Sequence, residues 1–66
     1  MTSLEQLKRV FLKMNGVIKK GKEAEWLNTP DEELNNDTPL EVISRDSEGV
    51  KEVLDLLSRI EWGIPV

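Results

Sequence analysis

Four carboxylates crowd into one short stretch of this 66-residue chain: Asp31, Glu32, Glu33 and Asp37. Paired carboxylates at close spacing are the raw material of hydrolysis, one acting as general acid and the other as general base. The side chains that usually accompany such a pair are missing. With no His, Cys or Tyr, the common general bases and nucleophiles reduce to Asp, Glu, Lys, Ser and Thr. There is no Gly-rich phosphate loop and no calcium-loop spacing, and the lack of Cys and His argues against a zinc or other transition-metal site. The four acids read more simply as first-turn residues facing the positive end of a short helix and as a solvated turn. We therefore expect no catalytic residue, no metal and no cofactor.

Lysine supplies the second candidate chemistry. Lys8, Arg9, Lys13, Lys19, Lys20 and Lys22 gather at the amino end, where residues 1–22 hold six Lys/Arg against one Glu. Residues 23–66 hold three Lys/Arg against twelve Asp/Glu. The chain is therefore +5 and then −9, for a net charge of −4. A nucleic-acid-binding regulator using this basic end is one reading. A helix-turn-helix, however, needs a recognition helix docked on a supporting one, and only one substantial helix precedes the basic turn. The basic residues read as the polar face of that helix. DNA binding is not expected without a separate helix-turn-helix, and an acidic body favours partners with a basic surface.

Size narrows the function further. A chain this short makes one domain at most, and its apolar burial does little better than match the entropy of ordering it. Disulfides are excluded, which leaves a partner chain as the natural source of added stability. The reading is cytoplasmic, since Cys is absent and the amino end lacks a signal-type apolar run. Apolar stretches of a few residues are far short of the roughly 20 needed to span a bilayer.

The elements that must position these residues follow from spacing. Ser3 and Gln6 form a capping pair, and Leu4, Leu7, Val10, Phe11, Met14 and Ile18 recur at threes and fours, so a helix is predicted from Ser3 to Asn15. Asn15-Gly16 either ends it or is crossed, because Val17 and Ile18 continue the stripe. Residues 19–22 read as a turn and Glu23 to Leu27 as a short helix with Ala24, Trp26 and Leu27, of which Trp26 is expected in the core. In Thr29-Pro30-Asp31-Glu32, Thr29 is expected to cap and Pro30 to take the first position of one helical turn ending near Leu34. Asn35-Asn36 should turn tightly in the left-handed region. Thr38-Pro39-Leu40-Glu41 repeats the capping device and opens a helix with Leu40, Val42 and Ile43 as apolar contacts. The last helix, capped by Asp46 or Ser47, carries Val50, Val53, Leu54, Leu57 and Ile60, and is stopped by Gly63 ahead of Pro65. No segment alternates long enough to make a strand. The expected fold is all-α: a small bundle of an amino-terminal amphipathic helix, two or three short helices and a longer carboxyl-terminal helix.

Continued regularly, the last helix would point Trp62 about 120° away from its apolar stripe. Tryptophan is over-represented among residues that dominate interface energy, and Ile64-Pro65-Val66 adjoins it. Either Trp62 lies open to a partner, or Gly63 turns the tail back and Trp62 closes the core. Leu12 lies off the first helix's stripe and is either a dimer contact or a merely exposed leucine.

From Glu23 onward, the order Ala24, Trp26-Leu27, Thr29-Pro30, Leu34, Thr38-Pro39-Leu40, Gly49, Val53, Leu57, Ile60-Glu61 and Gly63 resembles the toxin-binding domain of Xre/MbcA/ParS-type antitoxins. The resemblance implies a non-enzymatic antitoxin of a type II pair, whose toxin is usually a RES-domain enzyme that consumes NAD. It implies that the helical domain and carboxyl end cover the toxin's active-site entrance, and that the antitoxin self-associates as a homodimer. Carried onto this sequence, the partner-binding residues are Arg59, Glu61, Trp62, Gly63, Ile64, Pro65 and Val66. Residues 1–22 are then a basic amphipathic helix and turn, and 23–66 the toxin-binding helical domain. Two departures stand out. Family members often carry an amino-terminal helix-turn-helix that represses their own operon, and residues 1–22 cannot hold one, so autoregulation by this chain alone is not expected. The family also commonly has glycine where this chain has Asn35-Asn36, a change that a left-handed turn absorbs. The main alternative is a small homo-oligomeric interaction module without a toxin.

Overall fold

Ser3 and Gln6 open the first helix in the way their spacing predicts. The Ser3 hydroxyl accepts from the Gln6 amide at 3.2 Å, and the Gln6 side chain accepts from the Ser3 amide at 2.9 Å, so two amides that a helix start leaves orphaned are satisfied reciprocally. The computed structural model describes residues 2–63. In chain order it contains α1 (Leu4–Val17), α2 (Glu23–Leu27), a 3₁₀ turn (Glu32–Leu34), α3 (Pro39–Arg45) and α4 (Ser47–Glu61). Among the described residues there is no strand, only an isolated antiparallel bridge between Asp31 and Asp37. The protein is a small all-α bundle.

Of the two possible ends for α1, the chain takes the longer, crossing Gly16 to stop at Val17. A glycine inside a helix costs about 1 kcal/mol. Val17 and Ile18 both pack against the core, and buried methylenes contribute roughly 0.8 kcal/mol each, so continuing the helix wins. The buried stripe of α1 centres on Val10 and Met14, with Leu7 beside them. Phe11 and Leu4 were expected on that stripe and are instead 42% and 69% exposed. They lie roughly 60° and 80° around the helix from Met14, at 100° per residue, on the margin of the packed face.

Thr29 does not cap the turn after it, and Pro30 does not take its first position. Asp31, with extended backbone, is the cap of the 3₁₀ turn, its carboxylate accepting from the Glu33 amide at 2.8 Å. Thr29 turns back and donates its hydroxyl to the Glu25 carbonyl at 2.7 Å, closing the end of α2, and Pro30 lies ahead of the cap. Aspartate outranks threonine as a cap, and here it is also the residue nearest the turn. Asn35 and Asn36 then take left-handed backbone, φ +57° and +66°. At α3 the capping device forms as expected: Thr38 accepts from the Glu41 amide at 3.1 Å and Glu41 from the Thr38 amide at 3.2 Å, with Pro39 in the first turn.

Asp46, the first of the two candidate caps, starts α4 by accepting from the Gly49 amide at 2.9 Å. That single residue separates α3 from α4, so the two helices meet at a sharp corner. Val50, Val53 and Leu57 are buried as expected and Leu54 packs at the margin. Ile60, on the expected stripe, is 38% exposed, while Leu56, outside it, is buried at 2%. Leu56 stands seven residues after Gly49 and so on the same side of the helix. At Gly49 the Val42 carbonyl of α3 fills the space of a side chain, so this side of α4 faces α3.

α1 and α4 pack on each other and share one core cluster with residues of α2, the 3₁₀ turn and α3. They run in the same sense. Thr2, just before α1, donates its hydroxyl to the Ile43 carbonyl in the last turn of α3, satisfying an acceptor that a helix end leaves free. At the other end Lys13 of α1 reaches Glu61 in the last turn of α4 at 2.6 Å.

Candidate partner-binding surface

The last turn of α4 gathers the described members of the set expected to bind a partner. Trp62 ends the helix, its amide bonded back to the Ser58 carbonyl at 3.1 Å, and Gly63 follows with φ +67° and its amide on the Ile60 carbonyl. A positive φ suits glycine because no Cβ meets the preceding carbonyl, so the chain leaves the helix axis here. The tryptophan does not fold back. It is 76% exposed, which decides between the two alternatives for this side chain in favour of the solvent-facing one.

The charged members have intramolecular partners. Arg59 reaches Glu33 on the 3₁₀ turn at 3.3 Å and Asp55 one turn earlier at 2.8 Å, so it fastens α4 to the turn while leaving part of its guanidinium in solvent. Glu61 holds Lys13. Exposed pairs of this kind contribute about 0–1 kcal/mol each; their consequence is mainly that they orient the helix end beneath Trp62. Ile64, Pro65 and Val66 lie outside the described residues.

Three of the four carboxylates weighed as a catalytic cluster have structural partners. Asp31 caps the 3₁₀ turn, Glu33 holds Arg59, and Asp37 binds Arg45 at 2.9 Å. That hydrogen bond and the Asp37 charge raise the Arg45 pKa above its ordinary value. Among the described residues no group of three potential ligands is placed to hold a metal ion, and no helix is long and apolar enough to cross a membrane.

At the amino end Lys8 and Arg9 are exposed and Lys13 bridges to α4, while Lys19, Lys20 and Lys22 surround the turn into α2. Trp26 was expected in the core. It is half-buried, packed against the core on one side and lining a groove on the other, a feature whose two halves lie on different elements and that no local spacing announces.

The model of one family, the antitoxin Xre/MbcA/ParS C-terminal toxin-binding domain, matches residues 17–63. The chain belongs to that family. No curated protein and no solved structure matches it. The matched part of this toxin-binding domain begins at the last residue of α1 and includes Arg59, Glu61, Trp62 and Gly63. Most of α1 therefore precedes the family unit, yet Val10 and Met14 are among its most buried side chains, at 0% and 2% exposure. In this antitoxin domain α1 completes the core, and Trp62 at the end of α4 is exposed.

Proposed function

We propose that this antitoxin domain neutralises a cognate RES-type, NAD-consuming toxin by covering its active-site cleft. The contact would be made by the last turn of α4 and the tail: Arg59, Glu61, Trp62, Gly63, Ile64, Pro65 and Val66. The observation that carries the reading is the exposure of Trp62 within the family's matched residues. A large apolar ring held open at a helix end costs solvation unless something covers it, and tryptophan anchors tend to sit at the centre of interfaces. Electrostatics supports the same partner. A cleft that binds a phosphate-rich cofactor is lined by cations, and residues 23–66 carry twelve acids against three bases, which speeds encounter and sets orientation. On this reading the domain contributes no catalysis of its own, binds no cofactor, and acts in the cytoplasm with its toxin.

A homodimer belongs to the same proposal. Leu4 and Leu12 on α1, 69% and 74% exposed, offer apolar surface for it together with Phe11. The face is small beside the roughly 800 Å² per partner of a standard interface, so the dimer is weak and concentration-dependent.

Co-expression with the toxin encoded beside it is the direct test. The wild-type domain should co-purify with that toxin and stop NAD loss. A chain truncated before Trp62 should keep its helical circular dichroism and release the toxin. Unchanged binding by the truncated chain would remove the occlusion mechanism, and absence of any complex with wild type would remove the toxin assignment.

A further inference from the structure

A groove of about 430 Å³ opens between the end of α1 and α2. Its volume falls among those of ordinary ligand-binding clefts, roughly 300–1,000 Å³. Val17, Ile18 and the half-buried Trp26 supply its apolar lining, and Lys19, Lys22, Glu25 and Thr29 its polar lining. The turn between the two helices carries Lys20 as well, and its shape is set by Gly21 at φ +91°. Lys22 is shared with Glu25 at 3.4 Å, both side chains well exposed. Among the described residues no carboxylate lies within ion-pair distance of Lys19 or Lys20.

We infer that this groove is a docking site for a partner-protein segment bearing an apolar side chain flanked by carboxylates. Charge selects the occupant. Two of its lining residues, Lys19 and Lys22, come from the cationic stretch of an otherwise acidic chain, so the lysines attract an anionic segment that the rest of the surface repels. The apolar lining needs a side chain to cover it and gives a bare anion nothing. A single-stranded nucleic acid also combines stacking with negative charge, but its phosphates form a continuous line that would have to run past Glu25 and the neighbouring Glu23. A peptide can place its carboxylates beside Lys19 and Lys22 and an uncharged residue beside Glu25. The inference goes beyond the toxin-covering reading, because the described lining comes from the end of α1, the turn after it and the region of α2, and does not include Trp62.

The chain's two tryptophans make the test internal, since Trp26 lines the groove and Trp62 stands in solvent at the end of α4. In ¹⁵N-labelled full-length protein, the blocked hexapeptide EDLFDE should shift the Trp26 indole N–H and the amides of residues 17–22 saturably, leaving the Trp62 indole in place. The double variant Lys19→Glu/Lys22→Glu changes only exposed side chains, so its spectrum should remain folded while the affinity falls at least about tenfold. The charge-reversed peptide KRLFRK should cause no such shift. Overturning results are saturable binding of EDLFDE at Trp62, equal binding by KRLFRK, affinity unaltered in the double variant, or oligothymidylate occupying the Trp26 site in preference to the peptide. Absence of any saturable shift with EDLFDE would overturn the inference as well.

Discussion

The carbonyl of Val42 occupies the space where a side chain at Gly49 would begin. A Cβ at Gly49 would stand 1.9 Å from that oxygen and 2.8 Å from its carbon, so α3 and α4 meet backbone to side at the corner that Asp46 makes. Neither atom is the flexible end of a side chain, and Gly49→Ala must drive the two helices apart. Overpacking typically costs about 1–3 kcal/mol and occasionally more, a large share of what a domain of this size holds. Urea denaturation followed by circular dichroism should show Gly49→Ala losing at least about 2 kcal/mol or failing to unfold cooperatively. Wild-type stability in this variant would show that the corner is looser than described.

Gly16 gives the opposite expectation. It lies inside α1 with nothing within 4 Å of a would-be Cβ, so alanine adds helix propensity without a clash. Gly16→Ala should stabilise by up to about 1 kcal/mol. In a domain of this length that corresponds to a rise in Tm of about 4–8 °C, read by thermal melting. A lower Tm would mean that α1 ends before Gly16.

Asn35 and Asn36 hold the left-handed turn between the 3₁₀ turn and α3. Left-handed backbone costs an ordinary L-residue roughly 1–2 kcal/mol, which asparagine partly avoids and glycine avoids altogether. Asn36→Gly should therefore leave the melting temperature nearly unchanged, whereas Asn36→Ala should lower stability by about 1 kcal/mol. Equal stabilities for the two variants would remove the conformational argument.

Thr38 is the cleanest test of a cap. Its hydroxyl and the Glu41 carboxylate satisfy each other's backbone amides at the start of α3. Thr38→Ala should cost about 1 kcal/mol, seen as a shift of the urea midpoint with the slope of the transition unchanged.

Features carried by near neighbours in the chain were legible in the sequence: both Ser/Thr capping boxes, the double asparagine turn, the stop at Gly63 and the periodic faces of α1 and α4. What escaped depends on how the elements pack and on choices between local partners that spacing leaves equivalent. Leu56 enters the core because α3 approaches α4 at Gly49, and periodicity alone does not say which edge of a wide stripe is rotated inward. Thr29 and Asp31 are both competent caps, and the choice between them follows from Thr29 reaching back to Glu25 to close α2. Leu4 obeys the α1 stripe yet remains exposed, since the packed face centres on Val10 and Met14. The family itself was legible in the order of residues from Ala24 to Gly63, while the exposure of Trp62 needed the three-dimensional arrangement. The Lys13–Glu61 bridge, whose partners stand 48 positions apart in the chain, has no local signature at all.

Trp62 separates folding from binding more sharply than any other position. At 76% exposure its ring contributes little to the core, so Trp62→Ala should alter stability by no more than about 0.5 kcal/mol. If the ring is the anchor of the toxin contact, the same change should weaken capture of the toxin by at least about 2 kcal/mol, near thirtyfold, expressed mainly as faster dissociation. Surface-immobilised toxin and a parallel urea titration give both numbers from one preparation. Leu12→Ala supplies the contrast, because Leu12 lies on the outer side of α1: it should leave toxin dissociation unchanged and reduce any self-association seen by sedimentation. A Trp62→Ala protein that unfolds would mean that the ring closes the bundle after all. One that folds and still holds the toxin with wild-type kinetics would move the contact away from the end of α4.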